Sequence, residues 1–187
     1  MKKLFILFAA VAFFFALGTG LEAQEKKILI AYYSLTNNTK NVALEIQRQT
    51  GGDLFQIETV ATYPDDYEGL LQVVEKERND NARPELKAKV DNIESYDVIF
   101  IGYPAWFSDL PPALYTFLES YDLTGKTIAP FCTHGTAPGD QDATIKRLQP
   151  NATVLETLKI SGNTVKEDPE NAPKQPVSDW LSKIGVK

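Results

Sequence analysis

The sequence predicts an α/β domain built on a doubly wound parallel sheet with helices on both faces. Short, β-branched or aromatic-rich segments alternate with segments of helical periodicity, which is the pattern of a parallel sheet covered by helices on two sides. Several of the short segments are apolar almost throughout, as strands buried on both faces are. The chain has 187 residues, and this size suits one domain with one sizeable core.

Five segments are predicted to be the strands of this sheet. In chain order they are "KKILIAYY" (26–33), "DLFQIET" (53–59), "YDVIFIGY" (96–103), "KTIAPFCT" (126–133) and "ATVLETLKI" (152–160). In sheets of this kind, ligands bind beyond the carboxyl ends of the strands, where the direction of winding reverses. The loop that follows the first segment is therefore the first place to look for a site.

The segments between the strands have apolar residues at helical spacing. These segments are 42–46, 70–74, 113–118, 144–148 and 177–184. The first is followed by the stop signal "TGG" at 50–52. The third follows Pro111 and Pro112, which fit the first turn of a helix because no N–H donor is needed there. We therefore predict helices in all of these places.

The first 23 residues have the pattern of a secretory signal peptide. Lys2 and Lys3 precede the unbroken apolar run 4–17, and a cleavage site of the A-x-A kind ends at Ala23. An uncleaved membrane anchor is the alternative, but the run of 14 residues is shorter than the roughly 20 needed to span a bilayer. We therefore expect a mature domain of residues 24–187, exported to the periplasm or the extracellular space, with no stable membrane span after cleavage.

Charge and composition exclude several classes of partner and site. The net charge is -6, which argues against binding nucleic acid or anionic lipid, because both need clustered Lys and Arg. Cys132 is the single cysteine, so an internal disulfide cannot form, and we expect this thiol to be a packing group. No cluster of His, Cys and Asp has the spacing of metal ligands.

The loop after the first strand, "SLTNNT" at 34–39, is crowded with hydroxyls and amides and contains no glycine. It matches neither a dinucleotide-binding glycine motif nor a P-loop. Its donors, with the N–H groups at the start of the following helix, make a cage for a terminal phosphate dianion. The donor side chains are Ser34, Thr36, Asn38 and Thr39. The alternative is an ordinary helix cap, for which one such residue suffices.

This loop and later segments resemble the flavodoxin family. "YYSLTNNTKNVALEI" is similar to the family's loop for the phosphate of flavin mononucleotide (FMN), usually Ser/Thr-x-Thr-Gly-Asn-Thr, with Asn37 standing where glycine is common. The likeness continues through "YDVIFIGYPAWFSDLPPALYTFLESYDLTGKTIAPFCTHG" and "PNATVLETLKISG". The resemblance implies a five-stranded sheet in the order 2-1-3-4-5, with FMN at the junction of strands one and three. The implied phosphate contacts are Ser34, Leu35, Thr36, Asn37, Asn38 and Thr39.

The resemblance also implies that "GYPAWFSDL", after the third strand, contacts the isoalloxazine ring of FMN. Trp106 is expected to pack on or beside the ring, because a flat aromatic face suits a flavin. Pro104 and Ala105 are expected to shape the backbone near the reactive edge. The alternative is that Trp106 and Phe107 only cover the end of the sheet. The family branch often has a second Trp at the position of Phe107, and there we expect a core role, with ring contact as the alternative.

After the fourth strand, "CTHGTAPGD" is expected along the other edge of the ring. The family branch usually continues Thr-His with a Gly-Ser-Gly pattern, whereas here Gly135 is followed by Thr, Ala, Pro and Gly139. Thr133 and the backbone of Gly135 are expected to hydrogen-bond the pyrimidine edge, with Gly139 nearby. His134, the single histidine, is expected to bind the flavin, as a hydrogen-bond or proton donor, or else to be a polar surface residue.

Three functions follow from these features, and the sequence leaves all three open. The first is an FMN electron carrier between redox partner proteins, because the cofactor supplies the chemistry and no side chain needs to be a nucleophile. The second is an FMN-dependent NAD(P)H oxidoreductase that acts on a quinone or a similar small acceptor, although no basic patch for a nicotinamide phosphate is evident. The third is a non-redox binding domain with a degenerate flavin site, supported by Asn37 and the altered loop 133–140.

Acidic residues in the predicted loops and helix starts have two interpretations. They are Asp65, Asp66, Asp109, Asp140 and Asp142. Each is expected to be a solvated cap, and together they could steer a basic redox partner.

Overall fold

The computed structural model describes residues 26–186. The predicted signal peptide, residues 1–23, lies outside this range. Within the range, no helix is both long enough and apolar enough to cross a membrane.

In the part of the chain that the structure describes, six strands form one parallel sheet. They are β1 (Ile28–Tyr33), β2 (Asp53–Ile57), β3 (Val98–Pro104), β4 (Thr127–His134), β5 (Thr153–Val154) and β6 (Leu158–Ser161). The order β2-β1-β3-β4-β5 confirms the predicted order 2-1-3-4-5. The chain winds from β1 outward to β2 and then returns to β3 on the other side of β1, so the direction of winding reverses between β1 and β3. A doubly wound sheet binds its ligand at the carboxyl edge of this junction.

The fifth position of the sheet differs from the prediction of one strand over 152–160. Two short strands, β5 and β6, occupy it in succession, and both pair with β4. Between the pairs Ile128↔Val154 and Phe131↔Leu158, three residues of the fifth segment oppose two of β4. One of those two is Pro130, which has no N–H to donate to a ladder. The extra residue and the missing donor together interrupt the strand.

Six α-helices lie within residues 26–186. They are α1 (Asn38–Thr50), α2 (Tyr67–Asn79), α3 (Pro112–Glu119), α4 (Asp142–Leu148), α5 (Gly162–Glu167) and α6 (Lys174–Lys183). The predicted stop of α1 is confirmed, since Gly51 has φ 73 and its N–H donates to the carbonyl of Gln47 over 2.7 Å. The sequence did not predict α5 or the 3-10 helix Ile93–Ser95, because both are too short to show a helical period.

The helices form a layer on each face of the sheet, as predicted. α1, α5 and α6 cover one face, α3 and α4 cover the other, and α2 packs against α3. On the first face the ring of Trp180 meets Phe100 edge-on, with 5.5 Å between the centroids. Inside the sheet, a Cβ on Gly102 would lie 2.1 Å from the ring of Phe131, so only glycine fits. This packed sheet is a rigid base for the loops at its carboxyl edge.

Candidate functional site

A cavity of about 380 Å³ opens at the carboxyl edge of the sheet, within the size range of small-molecule sites. Its walls come from the loops after β1, β3, β4 and β6 and from one side of α2. The predicted site residues on these walls are Thr36, Asn38, Pro104, Ala105, Trp106, Phe107, Thr133, His134 and Gly135. Residues from three separate predicted loops therefore meet at one place.

The loop before α1 enters the helix through a left-handed residue. Asn37 has φ 62, a conformation that asparagine tolerates better than most residues. The Asn37 side chain makes no capping hydrogen bond, and the first turn of α1 contains no acidic residue. Ser34 acts partly as a cap, because its Oγ accepts from the N–H of Lys40 over 3.3 Å. The start of α1 therefore offers N–H groups and partial positive charge to an anion.

Thr39 and Thr133 are buried, and their hydroxyls share a hydrogen bond of 2.8 Å. From the sequence, Thr39 is expected to contact the phosphate of a flavin cofactor and Thr133 its pyrimidine edge. One of the two hydroxyl hydrogens is used between them, so the other is left to donate elsewhere. The pair also ties the start of α1 to the end of β4. Their predicted contacts with a cofactor stay predictions.

Residues 106–109 form a tight turn after β3. The N–H of Trp106 donates to the carbonyl of Asp109 over 3.1 Å, and the reverse bond is 2.9 Å. Both central residues are left-handed, with φ 51 at Phe107 and φ 57 at Ser108, as in the type I′ turns that usually contain Asn or Gly. For residues other than glycine each such conformation costs on the order of 1 kcal/mol, so the turn stores strain.

Phe107 is not a core residue, and the expected core role was wrong. Its side chain is 44% exposed and lies on the wall of the cavity. The reason is the left-handed turn, which directs the ring outward from the end of the sheet. The guanidinium of Arg78, from α2, stacks over this ring at 4.8 Å from its centroid, a cation–π contact that shields part of an exposed apolar face.

Trp106 belongs both to the edge of the core and to the cavity wall. Its ring meets Tyr33 edge-on at 5.5 Å and Tyr63 at 5.3 Å between centroids, a geometry that aromatic pairs favour. The Tyr63 hydroxyl donates to Glu77 Oε2 over 2.7 Å. Burial raises the pKa of Tyr33 and of Tyr63 well above that of a free phenol, so both stay protonated. This cluster fixes the orientation of Trp106.

The end of β4 contributes His134, whose Nδ1 is buried without a hydrogen-bond partner in the protein. The residue is half-buried and lines the cavity, while the Nδ1 atom itself has almost no accessible surface. Beside it, Cys132 is buried, and desolvation raises the pKa of its thiol to about 12. The thiol is therefore protonated near neutral pH and packs as a small apolar group.

The predicted site residues that do not line the cavity are Ser34, Asn37 and Thr39, described above, and also Leu35 and Gly139. Leu35 is 42% exposed at the surface of the loop before α1. Gly139 lies behind the wall, where it has φ 73 and an added Cβ would lie 2.2 Å from the carbonyl oxygen of Ser108. Gly139 thus packs against the turn of residues 106–109. Cofactor contacts by Leu35 and Gly139 stay predictions.

One wall of the cavity was not predicted from the sequence. This wall is the side of α2 that presents Tyr67, Leu70, Leu71 and Val74. The spacing of Leu70, Leu71 and Val74 predicts a helix, but it does not indicate a ligand. Gly162 and Asn163, after β6, also line the cavity. The segment "SGN" at 161–163 could have indicated them, because it follows the fifth strand segment at the same edge of the sheet.

The acidic residues of the loops act mainly as caps and turn acceptors. Asp66 caps α2 by accepting from the N–H of Gly69 over 2.7 Å. Asp109 accepts from the N–H of Leu110 over 2.8 Å and from the hydroxyl of Tyr115. Asp140 accepts from the N–H that begins α4 over 3.3 Å. The capping interpretation therefore holds for Asp66 and Asp140, whereas Asp109 is a half-buried acceptor in the loop before α3.

The fold and the site together define a class of protein. It is the class of doubly wound α/β proteins that hold a cofactor with a phosphate and a ring at the strand junction where the winding reverses. A family model described as "Flavodoxin" matches residues 27–180. The chain belongs to the flavodoxin family.

Individual relatives agree with this assignment. A candidate flavoprotein of known structure from Bacteroides eggerthii is 33% identical with a TM-score of 0.74, and the match covers 87% of this chain and 99% of that chain. A flavoprotein in complex with FMN from Lactobacillus acidophilus is 21% identical with a TM-score of 0.63 over 76% and 97% of the two chains, a likeness of fold alone. A flavodoxin from Haemophilus influenzae is 29% identical over 104 residues, which are 54% of this chain and 45% of the relative. The chain spans about half the length of that flavodoxin.

Proposed function

We propose that this chain is an FMN-binding redox protein that transfers electrons between partner proteins outside the cytoplasm. The observation that carries the proposal is the composition of the cavity at the β1 and β3 junction. Part of its wall has hydroxyl and amide side chains beside the start of α1, and another part has the half-buried ring of Trp106. A molecule with both a phosphate and a flat ring matches these two kinds of group. Family membership supports FMN as that molecule.

The residues on the part of the wall beside the start of α1 fit a dianion. Thr36 and Asn38 line the cavity, and the N–H groups at the start of α1 have no competing side-chain cap from Asn37. The hydroxyl of Ser34 uses its oxygen to accept from Lys40, so its hydrogen remains available to donate. These groups bind and orient the phosphate, and the helix dipole adds to the attraction.

The residues on the Trp106 part of the wall fit an aromatic heterocycle. Trp106 is held edge-on by two tyrosines, so its face is already oriented before a ligand arrives. His134 lines the same space, and its buried Nδ1 has no hydrogen-bond partner in the protein. FMN supplies one- and two-electron chemistry when it is bound. The side chains bind the ring, exclude water from one side and set the hydrogen bonds at its edge.

Electron transfer to a protein partner rests on the surroundings of the cavity. Asp65 and Asp140 are exposed carboxylates in the loops around this edge, and the whole chain has a net charge of -6. Such a surface attracts a basic partner and speeds the encounter. The proposed site of action, in the periplasm or outside the cell, rests on the signal pattern of residues 1–23.

A second candidate function is favoured by the α2 wall. Leu70, Leu71 and Val74 give the cavity an apolar side, which would suit a flat, apolar acceptor such as a quinone. In that case the chain is an FMN-dependent oxidoreductase that takes electrons from NADH or NADPH. An enzyme of this kind bleaches its bound flavin with NADH or NADPH alone, whereas a carrier needs a separate reductase.

A titration of the chain with FMN, with riboflavin as the phosphate-free control, tests the proposal. Flavin fluorescence quenching should give tight binding of FMN and much weaker binding of riboflavin. A stable complex should then keep its visible absorbance when NADPH is added without a reductase. Absence of binding for both flavins would contradict the proposal and favour a non-redox binding domain. Rapid bleaching by NADPH would instead favour the oxidoreductase.

A further inference from the structure

Gln141, the residue before α4, is 1% exposed and joins two loops at the carboxyl edge. Its Nε2 donates to the carbonyl of Ser108 over 2.9 Å and to the carbonyl of Pro138 over 2.6 Å. We propose that Gln141 is a positioning residue that holds these loops together and so sets the width of the slot for the flavin ring. This inference rests on the proposed function.

The two loops that Gln141 joins form neighbouring parts of the cavity wall. Phe107 and Ser108 line the cavity from the loop after β3, and Thr136 and Ala137 line it from the loop after β4. Gln141 lies behind both loops and is not one of the lining residues. A change in its hydrogen bonds would therefore reach a bound ring through the position of the loops and not through a direct contact.

The contact between the loops is close enough to depend on a specific geometry. A Cβ on Gly139 would lie 2.2 Å from the carbonyl oxygen of Ser108 and 2.6 Å from Gln141 Nε2. Ser108 is itself left-handed, as is its neighbour Phe107. A strained turn persists only when its surroundings hold it. The Nε2 of Gln141 is the side-chain donor that holds the Ser108 carbonyl.

The way Gln141 is buried also points to a role beyond folding. Its Oε1 is buried without a hydrogen-bond partner in the protein, an arrangement that opposes stability. Gln149 provides the contrast, because it is also buried and its amide is fully used. Its Nε2 donates to the carbonyls of Leu118 and Tyr121, and its Oε1 accepts from the N–H of Leu123 over 3.1 Å.

The test compares two matched pairs of single variants in the full chain. Gln141→Met keeps the length of the side chain and removes its donors, and Gln149→Met does the same to the glutamine at the opposite edge of the sheet. Gly139→Ala pushes on the Ser108 carbonyl, whereas Gly125→Ala has an equally left-handed backbone, with φ 76, but open space around the added methyl group. FMN and riboflavin affinities, the absorbance spectrum of bound flavin and the thermal midpoint are measured for each.

Gln141→Met and Gly139→Ala should weaken FMN and riboflavin by the same factor, about tenfold, which is the loss of roughly one hydrogen bond's contribution. An equal factor is expected because both variants change the part of the cavity that holds the ring, and neither changes the contacts with the phosphate. The spectrum of bound flavin should shift in both variants. Gln149→Met and Gly125→Ala should lower the thermal midpoint and leave both affinities and the spectrum as in the parent.

Parent-like affinities and spectra in Gln141→Met and Gly139→Ala would overturn the inference. An equal loss of affinity in Gln149→Met would also overturn it, because the effect would then come from stability alone. If Gln141→Met fails to fold, the flavin affinities and spectra of Gly139→Ala and Gly125→Ala are compared instead, and they decide whether the inference stands. If the parent chain binds neither flavin, both the proposed function and this inference are wrong. If the parent binds FMN and the variants bind it equally well, only this inference is wrong.

Discussion

The carboxyl and amino edges of the sheet differ in how completely their polar groups are paired. Within residues 26–186, the buried side-chain atoms without a hydrogen-bond partner include Tyr33 Oη, His134 Nδ1 and Gln141 Oε1. All three lie near or beyond the carboxyl ends of β1 and β4. At the amino edge the equivalent groups are paired: the Tyr96 hydroxyl donates to Asp53 over 2.9 Å, and the Tyr121 hydroxyl accepts from the N–H of Val90 over 2.7 Å.

Backbone strain divides the two edges in the same way. Left-handed residues at the amino edge include Asn92, and asparagine tolerates that conformation. At the carboxyl edge Phe107 and Ser108 adopt it in succession. Unpaired polar atoms and strained turns persist where function requires them and other regions supply the stability. The contrast therefore indicates that the amino edge and the core stabilise the fold, while the carboxyl edge is shaped for a ligand.

The two tryptophans should separate stability from binding most strongly. Trp180 is 5% exposed, and its Nε1 donates to the carbonyl of Glu156 over 2.9 Å. Trp180→Ala should lower the free energy of unfolding by about 3–5 kcal/mol, the usual range for a buried tryptophan, and leave flavin affinity unchanged. Trp106→Ala should lower stability less and weaken FMN and riboflavin alike, because the half-buried ring faces the cavity. Urea unfolding measures the change in stability, and flavin titration measures the change in affinity. Equal effects of the two variants on both quantities would contradict the division between the core and the carboxyl edge.

The two ends of α1 offer the next comparison. Ser34→Ala combined with Thr39→Ala removes hydroxyls at its start, and should lower FMN affinity by about 30-fold, or about 2 kcal/mol, while riboflavin affinity changes little. Thr50→Ala removes a hydroxyl at the far end, where it donates to the carbonyl of Ile46 over 2.8 Å, and should not affect FMN. The assignment of the phosphate to this loop would be wrong if the double variant bound FMN as tightly as the parent.

An ion pair of α3 should contribute to stability without affecting the site. The guanidinium of Arg83 donates two hydrogen bonds, of 2.6 and 2.8 Å, to Glu119, and these hold the pKa of Glu119 below its ordinary value of 4.5. A carboxyl group with a lowered pKa in the folded state stabilises above its unfolded pKa. That stabilisation is lost as the pH falls through the folded pKa.

Glu119→Gln should therefore lower the free energy of unfolding at pH 7 by less than about 1 kcal/mol, because the pair is partly exposed and screened. It should also reduce the loss of stability as the pH falls below about 4.5. Urea unfolding at a series of pH values measures this. A variant whose acid profile equals that of the parent would show that the pair adds nothing.

The smallest effect should come from relief of strain in the turn after β3. Ser108→Gly removes the steric cost of φ 57 and should raise the free energy of unfolding by about 0.5–1 kcal/mol, after the entropy cost of glycine is subtracted. Asn92→Gly should give almost no gain, because asparagine already tolerates φ 53 there. Equal gains in urea unfolding for the two variants would mean that the turn is not specially strained.

Most of the fold could be predicted because its signals are local. The apolar runs at 28–33 and 98–104 show burial on both faces, and Gly51 and Pro111 mark the end of one helix and the start of another. The break between β5 and β6 could not be predicted. It depends on Pro130 in the neighbouring strand and on side chains that satisfy Glu156 and Thr157, which are contacts between residues far apart in sequence.

The candidate site was predictable only in part for the same reason. The hydroxyls and amides of 34–39 and the ring of Trp106 are visible in the sequence because each suggests a ligand by its own chemistry. The α2 wall and the bridge from Gln141 to Ser108 have no such local signal. The outward position of Phe107 depends on a left-handed turn that a phenylalanine rarely adopts, so residue type indicated the core instead.

Backbone hydrogen exchange, measured on the chain with and without FMN, tests most directly the claim that the carboxyl edge is the flavin site. FMN should slow exchange at the amides of 34–40, 106–109 and 135–139 and leave those of 92–97 and 121–126 at the amino edge unchanged. Protection confined to the amino edge, or no local protection while FMN is bound, would contradict the account.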